Sequence, residues 1–168
     1  MILLRRTARP PHEIRAHLPH GRVHAATELA DGAWAFVTTD RLLVASDDGV
    51  TADHPWHTVE QGRWDGGART VTVTWVDGRA EPLVLRTATD DVVGFTSALR
   101  ERVQSSVVHT EAGRLPNGTW VHVFVRREES GELLSQVQAR GPLRGDTEEQ
   151  RIIDELEHRT RAAVGLPT

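Results

Sequence analysis

Nine histidines are the side chains best suited to acid–base or metal chemistry in this chain. The tightest grouping is Asp53, His54 and His57 around Pro55 and Trp56. On an extended strand an i,i+3 pair points to opposite faces, so His54 and His57 could share a metal only through a turn. His20 and His24 could ligate together only on a helix, and Gly21 followed by a strand-like pattern argues against one. His122 alternates with Trp120 and Phe124 on one strand face, the setting of a hydrogen-bonded, partly buried histidine. The acid pairs Asp47-Asp48, Asp90-Asp91 and Glu128-Glu129 fall at turns or helix starts, where carboxylates are favoured locally. Ser46, Ser97, Ser105, Ser106, Ser130 and Ser135 lack a positioned base, and no nucleophile elbow or P-loop occurs. Cysteine is absent, which removes thiol nucleophiles, thiolate metal sites and disulfides. We therefore expect no catalytic residue, no metal and no cofactor. The residues expected to form an interaction surface are Trp56 and Trp64, which flank a turn-rich stretch, with His57 and the arginines Arg5 and Arg6.

Short antiparallel strands must position these groups. Residues 33–38 and 41–46 are β-rich runs separated by Thr39 and Asp40, a tight hairpin. Residues 22–29 alternate weakly and read as a preceding strand. Pro55 suits a strand start before Trp56 and Val59, since a missing N–H is tolerated there. In residues 69–76, Val71, Val73 and Trp75 alternate with threonines, and Asp77-Gly78 turns the chain into Leu83, Val84 and Leu85. The period then changes from two to about 3.6, with Val92, Phe95, Leu99 and Val103 on one helical stripe. A second unit follows: strands over 107–115, 119–127 and 133–139, then a helix opened by Asp146 and Glu149. That helix turns Ile152, Ile153, Leu156 and Ala163 inward. With Val121, Val123 and Val125 on one face and Trp120, His122 and Phe124 on the other, strand 119–127 is expected to be covered on both sides.

A chain of 168 residues fits one domain with a substantial extension and can bury a core without staples. All 20 basic residues are arginine, which a genome favouring GC-rich codons accounts for. Residues 1–22 carry five arginines against Glu13, whereas residues 23–65 carry eight acids against Arg41 and Arg63. No basic face of the kind nucleic acid needs is apparent, so no nucleic-acid partner is expected. The first apolar run, Met1 to Leu4, is too short for a signal peptide, and none approaches a membrane span, which points to a soluble, cytoplasmic protein. The arginine- and proline-rich residues 7–19 can start one short helix through Ile14 and His17. They read as an arm that is solvated or lies against the acidic stretch of the same or a neighbouring chain.

Three features resemble the bacterial branch of the pleckstrin-homology-like (PH-like) superfold. They are Thr39-Asp40-Arg41-Leu42 at a strand junction, then Pro55-Trp56-His57-Thr58-Val59, then the closing helix. The resemblance implies an α+β, mainly β architecture: residues 1–21 as an arm, 22–105 as a barrel of six to seven antiparallel strands capped by one helix, and 106–168 as a ββα extension, a β-meander plus an amphipathic helix. Superfolds host many activities, so the fold transfers no task. Phosphoinositide-binding members place basic residues at the first hairpin loop. Here that loop holds Glu28 and Asp31 and no base, which would repel an inositol phosphate. The expected function is a non-enzymatic module that binds a protein or peptide and could form a homodimer. The alternative is a small-molecule or lipid binder using the barrel mouth or the cleft beside the extension.

Overall fold

The computed structural model describes residues 9–167. Its contacts divide the chain into two compact units, the first ending at Val103 and the second beginning at Gln104. Both are built from antiparallel sheets, and strands outnumber helices, giving a mixed α+β fold that is mainly β.

The first unit opens with the short helix α1 (His12–Ala16) and four strands: β1 (Val23–Glu28), β2 (Trp34–Thr38), β3 (Arg41–Ser46) and β4 (Gly49–Pro55). These hydrogen-bond in chain order as one sheet. The hairpin expected around Thr39 and Asp40 is present, with Trp34 opposite Ala45 and Phe36 opposite Leu43. A one-turn 3-10 helix at Trp56–Thr58 replaces the strand start expected there. Proline, with no N–H to give to a ladder, ends β4, and the chain turns before resuming as β5 (Val59–Asp65). Strands β5, β6 (Thr70–Trp75) and β7 (Leu83–Arg86) make a second sheet, and α2 (Val93–Ser106) follows.

The seven strands do not close into a barrel. One corner is joined by the single bridge Leu29↔Thr87, flanked by Ala30 N–H to Arg86 O at 2.9 Å and Ala88 N–H to Glu28 O at 2.9 Å. At the other corner β4 and β5 share no ladder, because the proline and the 3-10 turn interrupt the pairing. Bulges at Ala25, Ala45 and Gln61 let the strands bend toward each other. Between the sheets lies one apolar cluster, with Ala35, Val37 and Leu42 from the first sheet and Val59, Val71, Val73 and Leu85 from the second. The helical stripe Phe95, Leu99 and Val103 seals it, as its 3.6 period requires. Gly62 on β5 makes this seal close: a methyl added there would collide with the Leu99 side chain.

The second unit is a meander of β8 (Val107–Arg114), β9 (Trp120–Arg127) and β10 (Leu133–Arg140), with β9 central, followed by α3 (Thr147–Ala162). The start of α3 is fixed by the predicted residues. Asp146 Oδ1 accepts from Glu149 N–H at 2.8 Å, and Glu149 Oε2 accepts from Arg144 N–H at 2.7 Å and Gly145 N–H at 3.2 Å. This helix lays Leu156, Ile152 and Ile153 on Leu115, Val121 and Val123. Leu156 sits over Gly113 of β8, where an added methyl would meet its Cδ2 at 3.2 Å. Ala163 is exposed at the helix end, and Thr160, one turn after Leu156, takes the inward place expected for it. Among the described residues no helix is long and apolar enough to cross a membrane.

Candidate functional site

Pairing register separates the Asp53, His54 and His57 grouping. Asp53 stands opposite Leu43, on the outer face of the first sheet, while His54 stands opposite Leu42, on the inner side. Asp53 is held by Arg41, whose Nη1 lies 2.8 Å from each carboxylate oxygen. The His54 ring lies 4.1 Å from the Trp75 ring, and burial lowers its pKa despite the opposing pull of Asp53. His57 belongs to the 3-10 turn. Among the described residues no three His, Asp or Glu side chains converge where they could share a metal ion.

The expected interaction surface is also dispersed. Trp56 is 5 % exposed, and its Nε1–H donates to Thr38 O at 3.0 Å, so the ring pins the 3-10 turn to the core rather than facing a partner. Trp64 is partly buried and packs against the same core. His57 is half-buried beside Trp56. Arg5 and Arg6 lie outside the described residues. In the second unit Trp120 is the exposed large aromatic, followed along β9 by His122, which stacks on Phe124 with centroids 6.0 Å apart. Helix α3 covers the Val121 and Val123 face and leaves these rings on the other.

What sequence reasoning passed over is the outer face of the first sheet. All five residues of β2 are buried, and the first four, Trp34 to Val37, are apolar and covered on both faces of the sheet. The inner ones serve the core described above. The outer ones, Trp34 and Phe36, join Leu43 and Ala45 in a separate cluster, and Ile14 of α1, 2 % exposed, closes over it with help from Leu18. The arm is thus anchored by Ile14 and Leu18, while the other side chains of residues 11–20 stay exposed. Its attachment is small: α1 has five residues and no side-chain N-cap. His17 Nε2 lies 3.0 Å from Asp47 O beyond the helix end, and Thr39 N–H donates to Arg22 O at 3.1 Å where the arm joins the fold. The consecutive apolar residues 34–37 were the legible signal for this face.

No family model, curated protein or solved structure matches the chain. The reading of its function therefore rests on its own residues.

One electrostatic cluster in the second unit predicts its acid response. Arg159 Nε donates to Glu111 Oε2 at 2.6 Å across the α3–β8 packing, and His109 Nε2 lies 3.4 Å from Glu111 Oε1. The Arg159 hydrogen bond, helped by His109, holds the Glu111 carboxyl below its ordinary value of 4.5. A depressed folded pKa gives stability that is present above the unfolded value and lost as pH falls through the folded one. We expect Arg159→Gln to be modestly less stable than the wild type above pH 4.5 and to converge with it as pH falls below that value, so that the acid-unfolding limb flattens. Far-UV circular dichroism along an acid titration reads this out, and an unchanged limb would remove Glu111 from the account.

Proposed function

We propose that the protein is a non-enzymatic cytoplasmic interaction module that binds a protein or peptide and can self-associate, built on a PH-like first unit. The PH-like reading is supported by the four- and three-stranded sheets, the Leu29↔Thr87 corner and the helix that follows them. Its first hairpin loop carries Glu28 and Asp31, and Asp31 Oδ1 is occupied with Ala33 N–H at 3.1 Å, which suits a turn rather than a phosphate cradle.

The single observation that carries the interaction reading is the two-sided burial of β2. A sheet that needed only a core would wet its other face. This one is apolar outside as well, and one short helix covers it. The small-molecule alternative draws less support, because the space between the sheets of the first unit is filled by Leu42, Trp56, Trp75, Phe95 and Leu99 of the chain itself. Native mass spectrometry of the purified chain separates the two. We expect the polypeptide mass alone or whole multiples of it. A retained organic adduct of a few hundred daltons would overturn the module reading in favour of the alternative.

A further inference from the structure

We propose that the outer face of the first sheet is a docking site for a short, basic, amphipathic helix from a partner protein, and that residues 11–18 of this chain occupy it as a built-in competitor. This rests on the interaction reading above and gives it a site and a ligand class.

The occupant's chemistry is read from the segment already seated there. Ile14 on α1 and Leu18, in the turn just past its end where Leu18 N–H donates to Arg15 O at 3.2 Å, give the segment two aliphatic anchors four residues apart against Phe36, Leu43 and Ala45. Charge agrees with that fit. Residues 9–22 carry three arginines against Glu13, while the first sheet and its turns, residues 23–55, hold six acids against Arg41. Asp47 and Asp48 lie in the turn that ends β3, beside the point where His17 meets the Asp47 carbonyl, while Asp53 on the outer face of β4 is already paired with Arg41. A partner helix with aliphatic residues at i,i+4 flanked by arginine or lysine would meet the same apolar floor and the same acidic surroundings.

Competition follows from how lightly the segment is held. A five-residue helix has little stability of its own, and Ile14 is the one fully buried side chain of α1. Burying one aliphatic side chain favours the closed state by about tenfold to a hundredfold. A partner therefore sees the free face reduced by about that factor, and removing the anchor should restore it.

The test uses the full chain and a fluorescein-labelled synthetic peptide with the sequence of residues 9–22, followed by fluorescence anisotropy. The expected result is weak binding to the wild-type chain and binding about tenfold or more tighter to Ile14→Asp. A peptide carrying the same Ile14→Asp change should not bind. Near-UV circular dichroism, dominated by the buried tryptophans, checks that the variant is folded; should it not be, Ile14→Ala and Leu18→Ala take its place with a smaller expected gain. Equal affinity for both chains, or no binding to a folded variant, overturns the proposal while leaving the interaction reading standing. A wild-type mass of two chains by light scattering, lost in Ile14→Asp, also overturns it, because the competing occupant would then be the arm of a second copy. Failure of the interaction reading itself would show separately, as the retained small molecule in the native mass spectrum.

Discussion

Replacing Gly62 with alanine is expected to destabilise the first unit by about 1–3 kcal/mol, and the same change made together with Leu99→Ala is expected to stabilise it relative to Leu99→Ala alone. The reason is the seat of α2. Leu99 is 1 % exposed and its side chain occupies the space where a Gly62 Cβ would stand. The leucine tip is flexible in principle, but here Leu99 is part of a core cluster that also holds Phe95 and Val103, so it cannot move aside without displacing them. Leu99→Ala by itself removes buried carbons and leaves a void, a loss of about 2–5 kcal/mol. In the double variant the new methyl on β5 enters that void, and the alanine also restricts the unfolded chain. The coupling should then exceed the cost of Gly62→Ala alone, since the change turns from destabilising to stabilising between the two backgrounds. Urea titrations of the four proteins measure it, and simple additivity would show that Leu99 does not rest on Gly62.

How much of this was legible in the sequence depended on whether one residue's neighbours in the chain were also its neighbours in space. The hairpins were readable because turn chemistry and strand-forming runs are local: residues 33–46, 70–86 and 107–140 form the strands their β-rich runs and turns predict, and β6 and β8 alternate as a half-buried strand should. The cap at Asp146 and Glu149 was readable for the same reason. Strand β4 was not, because residues 49–55 mix glycine, threonine and charge with little apolar pattern and become a strand only by pairing with β3. Trp56 read as a recognition residue because turns are usually exposed. What buries it is the core cluster it joins, and a carbonyl 18 positions earlier, at Thr38, accepts the indole N–H and offsets the cost of that burial. The outer-face cluster failed to register because its lid, Ile14, sits in an arginine- and proline-rich segment whose composition resembles a solvated arm. One buried isoleucine outweighs that composition, and composition cannot report it.

Leu156→Ala should come close to unfolding the second unit while leaving the first intact. The second unit spans 65 residues, and a domain of that size holds about 3–10 kcal/mol in all. Its apolar cluster is correspondingly small: Leu115, Val121, Val123 and Leu156, with Ala139, Ile152 and Ile153 at the margin. Leu156 is the side chain of α3 that enters this cluster fully, at 4 % exposure, and truncating it should cost about 2–5 kcal/mol. That is a large fraction of the whole, whereas an equal loss in the first unit would be drawn from a core of 15 buried side chains. The tryptophans make the two units separately visible, since Trp120 lies in the second and Trp34, Trp56, Trp64 and Trp75 lie in the first. In a variant with the four first-unit tryptophans replaced by phenylalanine, Trp120 emission should report a melting midpoint lowered by well over 10 °C. Far-UV circular dichroism of the otherwise wild-type chain should keep its larger transition in place. Adding Gly113→Ala should recover part of the loss, because its methyl points toward the space Leu156 leaves. A Trp120 midpoint that does not move would mean that α3 is held to the sheet mainly by its polar contacts, Arg159 with Glu111 and Ser135 with Arg161 and Glu157, and not by this leucine.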